Sequence, residues 1–244
     1  MQERLASLLL DVHALIGDLA RQRGTPAGPA LEIDIERLAS LRWLPTERRT
    51  RSGALGSSYY SGLAPETDLF AYARPEFLQA EVKDYSCNIG RAVVTELFAR
   101  AIDLHLGRLR RIRPAAAWDH HVVLVAAGGV SPSLRVACLR FGICLVEPRL
   151  IPLPVLGRHL STLRPLLANA NCTEHDLYTG CLPFSQRFPH EQGGVRLDTG
   201  TLRSDRVVQS LLQFQVLGTQ SVQKRCADRI TSFEPLTTPR RAVY

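Results

Sequence analysis

The stretch "EFLQAEVKDYSCNIGRAVVTELFARAID", residues 76–103, changes its hydrophobic period partway along. Up to Lys83, the apolar Leu78, Ala80 and Val82 alternate with the polar Gln79, Glu81 and Lys83, the period of a strand with one buried face. From Ile89 onward the apolar positions Ile89, Val93, Leu97, Ala101 and Leu104 recur every three or four residues, the period of a helix. A strand running into a helix through a short polar break is therefore expected, with the helix over 88–109. Working outward, "TDLFAYA" (67–73) reads as a second strand. The turn at Arg74-Pro75 joins it to 76–83 as an antiparallel hairpin. Downstream, "HVVLVAAG" (121–128) and "ICLVE" (143–147) are short, nearly all-apolar runs, the mark of buried strands. Between them, "SPSLRVACLRFG" (131–142) carries Ser131 as N-cap and Pro132 at the first helical position, and ends at Gly142.

Residues 31–42 and 152–167 read as further helices, so the order from 31 to 167 is helix, hairpin, helix, strand, helix, strand, helix. Strands alternating with helices after an initial hairpin imply an α/β fold with a mixed central sheet flanked by helices on both faces. Residues 3–22 form an amphipathic helix that packs on its own body or on a partner chain, and "GTPAGPA" (24–30) reads as a linker. Residues 46–62 read as a polar, basic loop. Residues 170–203 look loop-rich, and 204–230 helical from Ser204, with a break near Gly218. Three segments follow: an N-terminal helix (1–23), a central domain (31–167) and a C-terminal extension (168–244). The first and third are candidate sites of homo-oligomer contact.

The composition, 45% hydrophobic and 22% charged, is that of a globular protein, and the net charge of +7 favours a polyanionic partner. The six cysteines are scattered, with Cys138 and Cys144 inside apolar runs. The expectation is a reduced, cytoplasmic protein. No apolar run approaches the roughly 20 residues of a membrane span, so no membrane association is expected.

Of the thirty basic residues only Lys83 and Lys224 are lysine. On a strand, Glu81 and Lys83 share a face, and Asp68 begins the partner strand of the hairpin. Two carboxylates and an ammonium are thus expected to meet at one end of the hairpin. Two carboxylates at one point repel unless a cation lies between them, and Mg²⁺, a hard ion that keeps waters and phosphate oxygens, suits such a pair. Lysine, a compact charge whose pKa can shift, suits water activation better than the always-protonated arginine fork.

Asp68, a hairpin and then Glu81-Val82-Lys83 resemble the PD-(D/E)xK nuclease motif. "EVKDYSCNIGRAVVTELFARAID" and "HHVVLVAAGGVSPSLRVACLRFGICLVE" are similar to successive segments of Mrr-like restriction endonuclease domains. The resemblance covers roughly residues 60–160. It departs from the family pattern just before Asp68, where Glu66-Thr67 stand and Pro65 lies three back. It implies a restriction-endonuclease-like fold and an endonuclease that hydrolyses DNA with Mg²⁺, Mn²⁺ substituting, in a role such as defence against foreign DNA. By that resemblance Asp68, Glu81 and the Val82 carbonyl hold the metal and Lys83 serves the attacking water. Glu36 is the candidate additional acid from the first helix, with Glu32 behind it. Arg48, Arg49 and Arg51, together with Arg108, Arg110, Arg111 and Arg113, become candidate phosphate contacts. The rival readings are a non-catalytic nucleic-acid-binding or assembly protein on the same fold, and an RNA-directed nuclease. Cys172, His175, Cys181 and His190 match no common zinc spacing, and His120-His121 reads as an exposed strand entry.

Overall fold

The structure is a computed structural model that describes residues 3–21, 28–43, 46–50, 59–63, 65–73, 75–84, 89–111, 119–191, 194–195, 202 and 204–231. Five strands, β1 (Thr46–Thr50), β2 (Thr67–Ala73), β3 (Glu76–Lys83), β4 (Asp119–Ala126) and β5 (Ile143–Val146), form one sheet in chain order. β1 pairs antiparallel with β2 and β2 with β3, while β3, β4 and β5 run parallel. The hairpin pairs Ala73 with Glu76 and Leu69 with Ala80. The sheet is therefore mixed, and helices cover both faces.

The alternation read from residues 76–83 decides which side chain meets which layer. Leu78, Ala80 and Val82 join Leu69, Ala71, Val123, Val125 and Val146 in the larger core. That core is closed by α1 (Glu3–Arg21), α2 (Gly28–Ser40), α5 (Leu153–Gly157), α6 (Leu160–Asn169) and α9 (Asp205–Thr231). On the opposite face, Val122, Leu124 and Ala126 pack against α3 (Arg91–Arg111), α4 (Pro132–Arg140) and α8 (Phe184–Arg187). Beside them Phe70, Tyr72 and Phe77 pack with Tyr59 and with Leu104 of α3. The remaining elements are α7 (Glu174–Gly180) and a two-stranded ribbon, β6 (His190–Glu191) and β7 (Gly194–Val195).

Several expectations change here. "TERRT" forms the edge strand β1 and not a loop. Among the described residues one of its edges has no strand neighbour, and edge strands tolerate charge in place of apolar alternation. Helix α2 begins at Gly28-Pro29, inside the expected linker, with Pro29 near the start where its missing N–H costs nothing. Residues 152–167 split into α5 and α6. Helix α9 runs unbroken past Gly218, where an added Cβ would come within 2.6 Å of Leu156 Cδ2. That glycine permits close helix packing and breaks nothing. Leu5, Leu8, Leu9, Val12 and Ile16 of α1 share the larger core with Val208, Leu211 and Phe214 of α9. The apolar face of α1 therefore packs on its own chain, and one core joins all three segments.

Candidate active site

The hairpin brings its three predicted polar residues together. Lys83 Nζ lies 2.6 Å from Glu81 Oε1 and 3.6 Å from Asp68 Oδ2. Both acids therefore touch one ammonium, and their oxygens sit well inside the roughly 8 Å beyond which ~2 Å metal–oxygen bonds could not bridge them. The local cause lies in the strand ladder. Pairing between β2 and β3 stops at Leu69–Ala80. The next β3 donor on that edge, the Val82 N–H, is taken by the Asp68 side chain, with Oδ2 accepting at 2.7 Å. A strand residue's N–H and C=O face the same edge, so the Val82 carbonyl points to the side that holds Asp68. Its side chain faces the larger core, as expected.

A fourth residue completes the cluster. Arg100 of α3 donates from one nitrogen to Glu81 Oε2 at 3.2 Å and to the Glu66 carbonyl at 3.0 Å, and pairs through another with Glu96. The sequence carried a signal for it. Arg100 falls between Leu97, Ala101 and Leu104, all buried, on the stripe of α3 that faces the sheet, and a charge there needs a partner. Glu81 is only 4% exposed. Burial first, and the neighbouring Asp68 carboxylate second, push its carboxyl above the usual range, against the pull of Lys83 and Arg100.

The donors fit a divalent hard cation in kind: two carboxylates and a main-chain carbonyl, all oxygen. Mg²⁺ typically takes one or two carboxylates and fills its octahedron with water and substrate phosphate. Among the described residues no group of three or more His, Cys, Asp and Glu is placed to hold a metal, so the cluster supplies two acids and not three.

The other predicted residues lie elsewhere. Arg48 Nε donates to Glu36 Oε2 at 3.1 Å and its guanidinium lies 4.0 Å from Glu32. Arg48 is registered against Leu69, on the α2 face of the sheet, so this pair sits across the sheet from Glu81. Glu36 thus meets an arginine there. Arg108, Arg110 and Arg111 close α3, roughly 12–16 Å along the axis beyond Arg100 at 1.5 Å per residue. Helix α3 runs back toward the start of β4, where the rings of His105 and His120 lie 6.2 Å apart. These arginines therefore end at the far edge of the sheet from Lys83. Their side chains and that of Arg49, and all of Arg51 and Arg113, lie outside the described residues.

One further reading changes. His120 and His121 are buried, at 2% and 3% exposure, because β4 begins at Asp119. His120 Nε2 meets Gln79 Oε1 at 3.2 Å, and burial lowers His121 to about 4. Cys138, Cys144, Cys172 and Cys181 are free thiols, and burial raises the pKa of each. No helix among the described residues is long and apolar enough to cross a membrane.

No family model, curated protein or solved structure matches the chain.

Proposed function

We propose that the Asp68–Glu81–Lys83 cluster is the active site of a metal-dependent endonuclease that hydrolyses phosphodiester bonds of DNA, on a restriction-endonuclease-like form of the mixed sheet. The observation that carries this is the meeting of two carboxylates and one lysine Nζ at the end of the hairpin, on a face where Glu81 is buried and its carboxyl resists ionisation. Such a pair is unfavourable as pure scaffold and favourable where a cation is to be held. Asp68, Glu81 and the Val82 carbonyl would hold Mg²⁺, with Mn²⁺ able to replace it. The ion supplies Lewis-acid stabilisation of charge on the phosphate and the leaving oxygen. Lys83, already against both acids, would orient the attacking water and offset the negative charge that builds on the phosphate. Arg100 fixes Glu81 Oε2 and so leaves Oε1 turned toward Lys83.

A second reading has its own support. Lys83 and Arg100 together engage both oxygens of Glu81, an arrangement that also serves a nucleic-acid-binding protein with no catalysis.

Digestion of supercoiled plasmid, single-stranded DNA and RNA with Mg²⁺, Mn²⁺ or EDTA separates the readings. Mg²⁺-dependent nicking of plasmid, abolished by EDTA and by Glu81→Gln, is the expected result. Nicking that Glu81→Gln leaves unchanged sinks the enzyme reading at these residues, and activity confined to RNA replaces the substrate.

A further inference from the structure

We infer that the cavity behind the β4–α4 turn binds a phosphate group of the nucleic-acid strand that reaches Lys83, an inference that rests on the nuclease reading above. The cavity measures about 310 Å³ and is lined by the turn residues Ala127, Gly128 and Gly129, by Arg135 and Arg149, and by Ala20 of α1. It adjoins the acid cluster through the backbone, since the Ala127 N–H donates to the Lys83 carbonyl at 3.0 Å. Cavity and cluster thus share the C-terminal edge of the parallel strands, where open α/β sheets take their ligands.

The charge of the cavity follows from its neighbours. Arg135 pairs with Glu147 at 2.6 Å. Glu147 is fully buried, and its other oxygen accepts the Val130 N–H at 2.9 Å. Glu147 is therefore fixed in the wall and cancels one guanidinium charge, which leaves the exposed Arg149 as the net positive charge at the rim. Gly129 stands at φ +78°, a left-handed backbone conformation that favours glycine, with Glu147 Oε2 beside it. Its lack of a side chain lets a ligand approach the turn's backbone. A positive, glycine-floored recess beside a phosphodiester-cutting site fits the next phosphate of the bound strand.

The test measures binding of a fluorescein-labelled duplex oligonucleotide by anisotropy in EDTA, across a salt series, for wild type, Arg149→Glu and Arg149→Lys. Reversing the charge is expected to weaken binding by about tenfold and to lower the salt slope by about one, while the lysine variant keeps both near wild type. Wild-type affinity and slope in Arg149→Glu overturn the inference. If inorganic phosphate raises the melting temperature of wild type but the charge reversal leaves oligonucleotide binding unaltered, the cavity takes free phosphate and the inference falls. Glu81→Gln, expected to bind without cutting, tests the nuclease reading separately. If it still cuts, that reading fails while the loss in Arg149→Glu stands.

Discussion

Two buried glutamates stand at the same end of the sheet, and their surroundings differ. Glu81 lies two residues before the end of β3 and Glu147 follows β5, and each meets an arginine from the helix nearby: Arg100 of α3 and Arg135 of α4. Among the described residues Glu147 pairs with that arginine and accepts a backbone N–H from Val130. This is how a scaffold satisfies a buried carboxylate, since a charged acceptor needs both a partner and its hydrogen bonds. Glu81 likewise has an arginine, Arg100, and then two further charged neighbours: a second carboxylate, Asp68, and the chain's rare lysine. The contrast sets a carboxylate that ties a loop to a sheet against one that the proposed function assigns to a cation.

The comparison breaks first at the chemistry. Glu81→Gln should lower Mg²⁺-dependent plasmid cleavage on the order of 10³-fold, because several kcal/mol of charge stabilisation are at stake at about 1.4 kcal/mol per decade. The same change should leave the melting temperature level or slightly raised, since it removes the repulsion from Asp68. Lys83→Arg keeps the charge and the ion pairs, so the fold should hold, yet cleavage should fall on the order of 10²-fold because the bulky guanidinium fork cannot replace a compact ammonium beside the attacking water. Steady-state cleavage rates check both.

Glu147→Gln should act in the opposite register. It leaves Arg135 facing a neutral amide within a buried wall, and the loss is expected at about 2–3 kcal/mol, below the full cost of a wholly buried pair because Arg135 is partly exposed. At about 2–4 °C per kcal/mol for a chain of this size, thermal unfolding should show it clearly. Arg100→Ala should fall between the two glutamates. Without its arginine the Glu81 carboxyl rises further, so the pH at which Mn²⁺ binding is half complete should move upward, and binding at neutral pH should weaken a few-fold.

The smallest effects lie in the pH dependence of stability. His121 is lowered to about 4, so the unfolded chain binds its proton first as the pH falls. Its contribution is whole above the ordinary histidine range and is lost as the pH drops from there toward 4. His121→Asn should flatten that acid limb in urea unfolding. Glu81 works the other way. Its folded carboxyl is raised, so its ionisation costs stability as the pH climbs from the ordinary carboxylate range through the folded value, and Glu81→Gln should remove that slope.

Much of the site was legible because β periodicity is rigid. The alternation in residues 76–83 was enough to put Glu81 and Lys83 on one face and Val82 in the core, and the turn at Arg74-Pro75 put Asp68 opposite them. What escaped depends on contacts that no local pattern records. The edge strand at Thr46–Thr50 has no apolar period to betray it. Gly218 reads as a helix break until Leu156 is packed against it. His120 and His121 look like solvated strand ends unless the strand is known to begin at Asp119. Arg100 lay on a buried stripe of α3, but its partner is nineteen residues upstream, and only the docking of α3 on β3 joins them. Glu36, expected near the acids, follows α2 to the other face of the sheet, where Arg48 meets it.

The most direct test of the central claim is Mn²⁺ binding, followed by the electron paramagnetic resonance of the free ion, for wild type, Glu81→Gln and Glu147→Gln at a temperature where all three are folded. The account predicts that wild type and Glu147→Gln bind the ion and that Glu81→Gln does not. Equal binding by wild type and Glu81→Gln, or no binding by wild type, would contradict it.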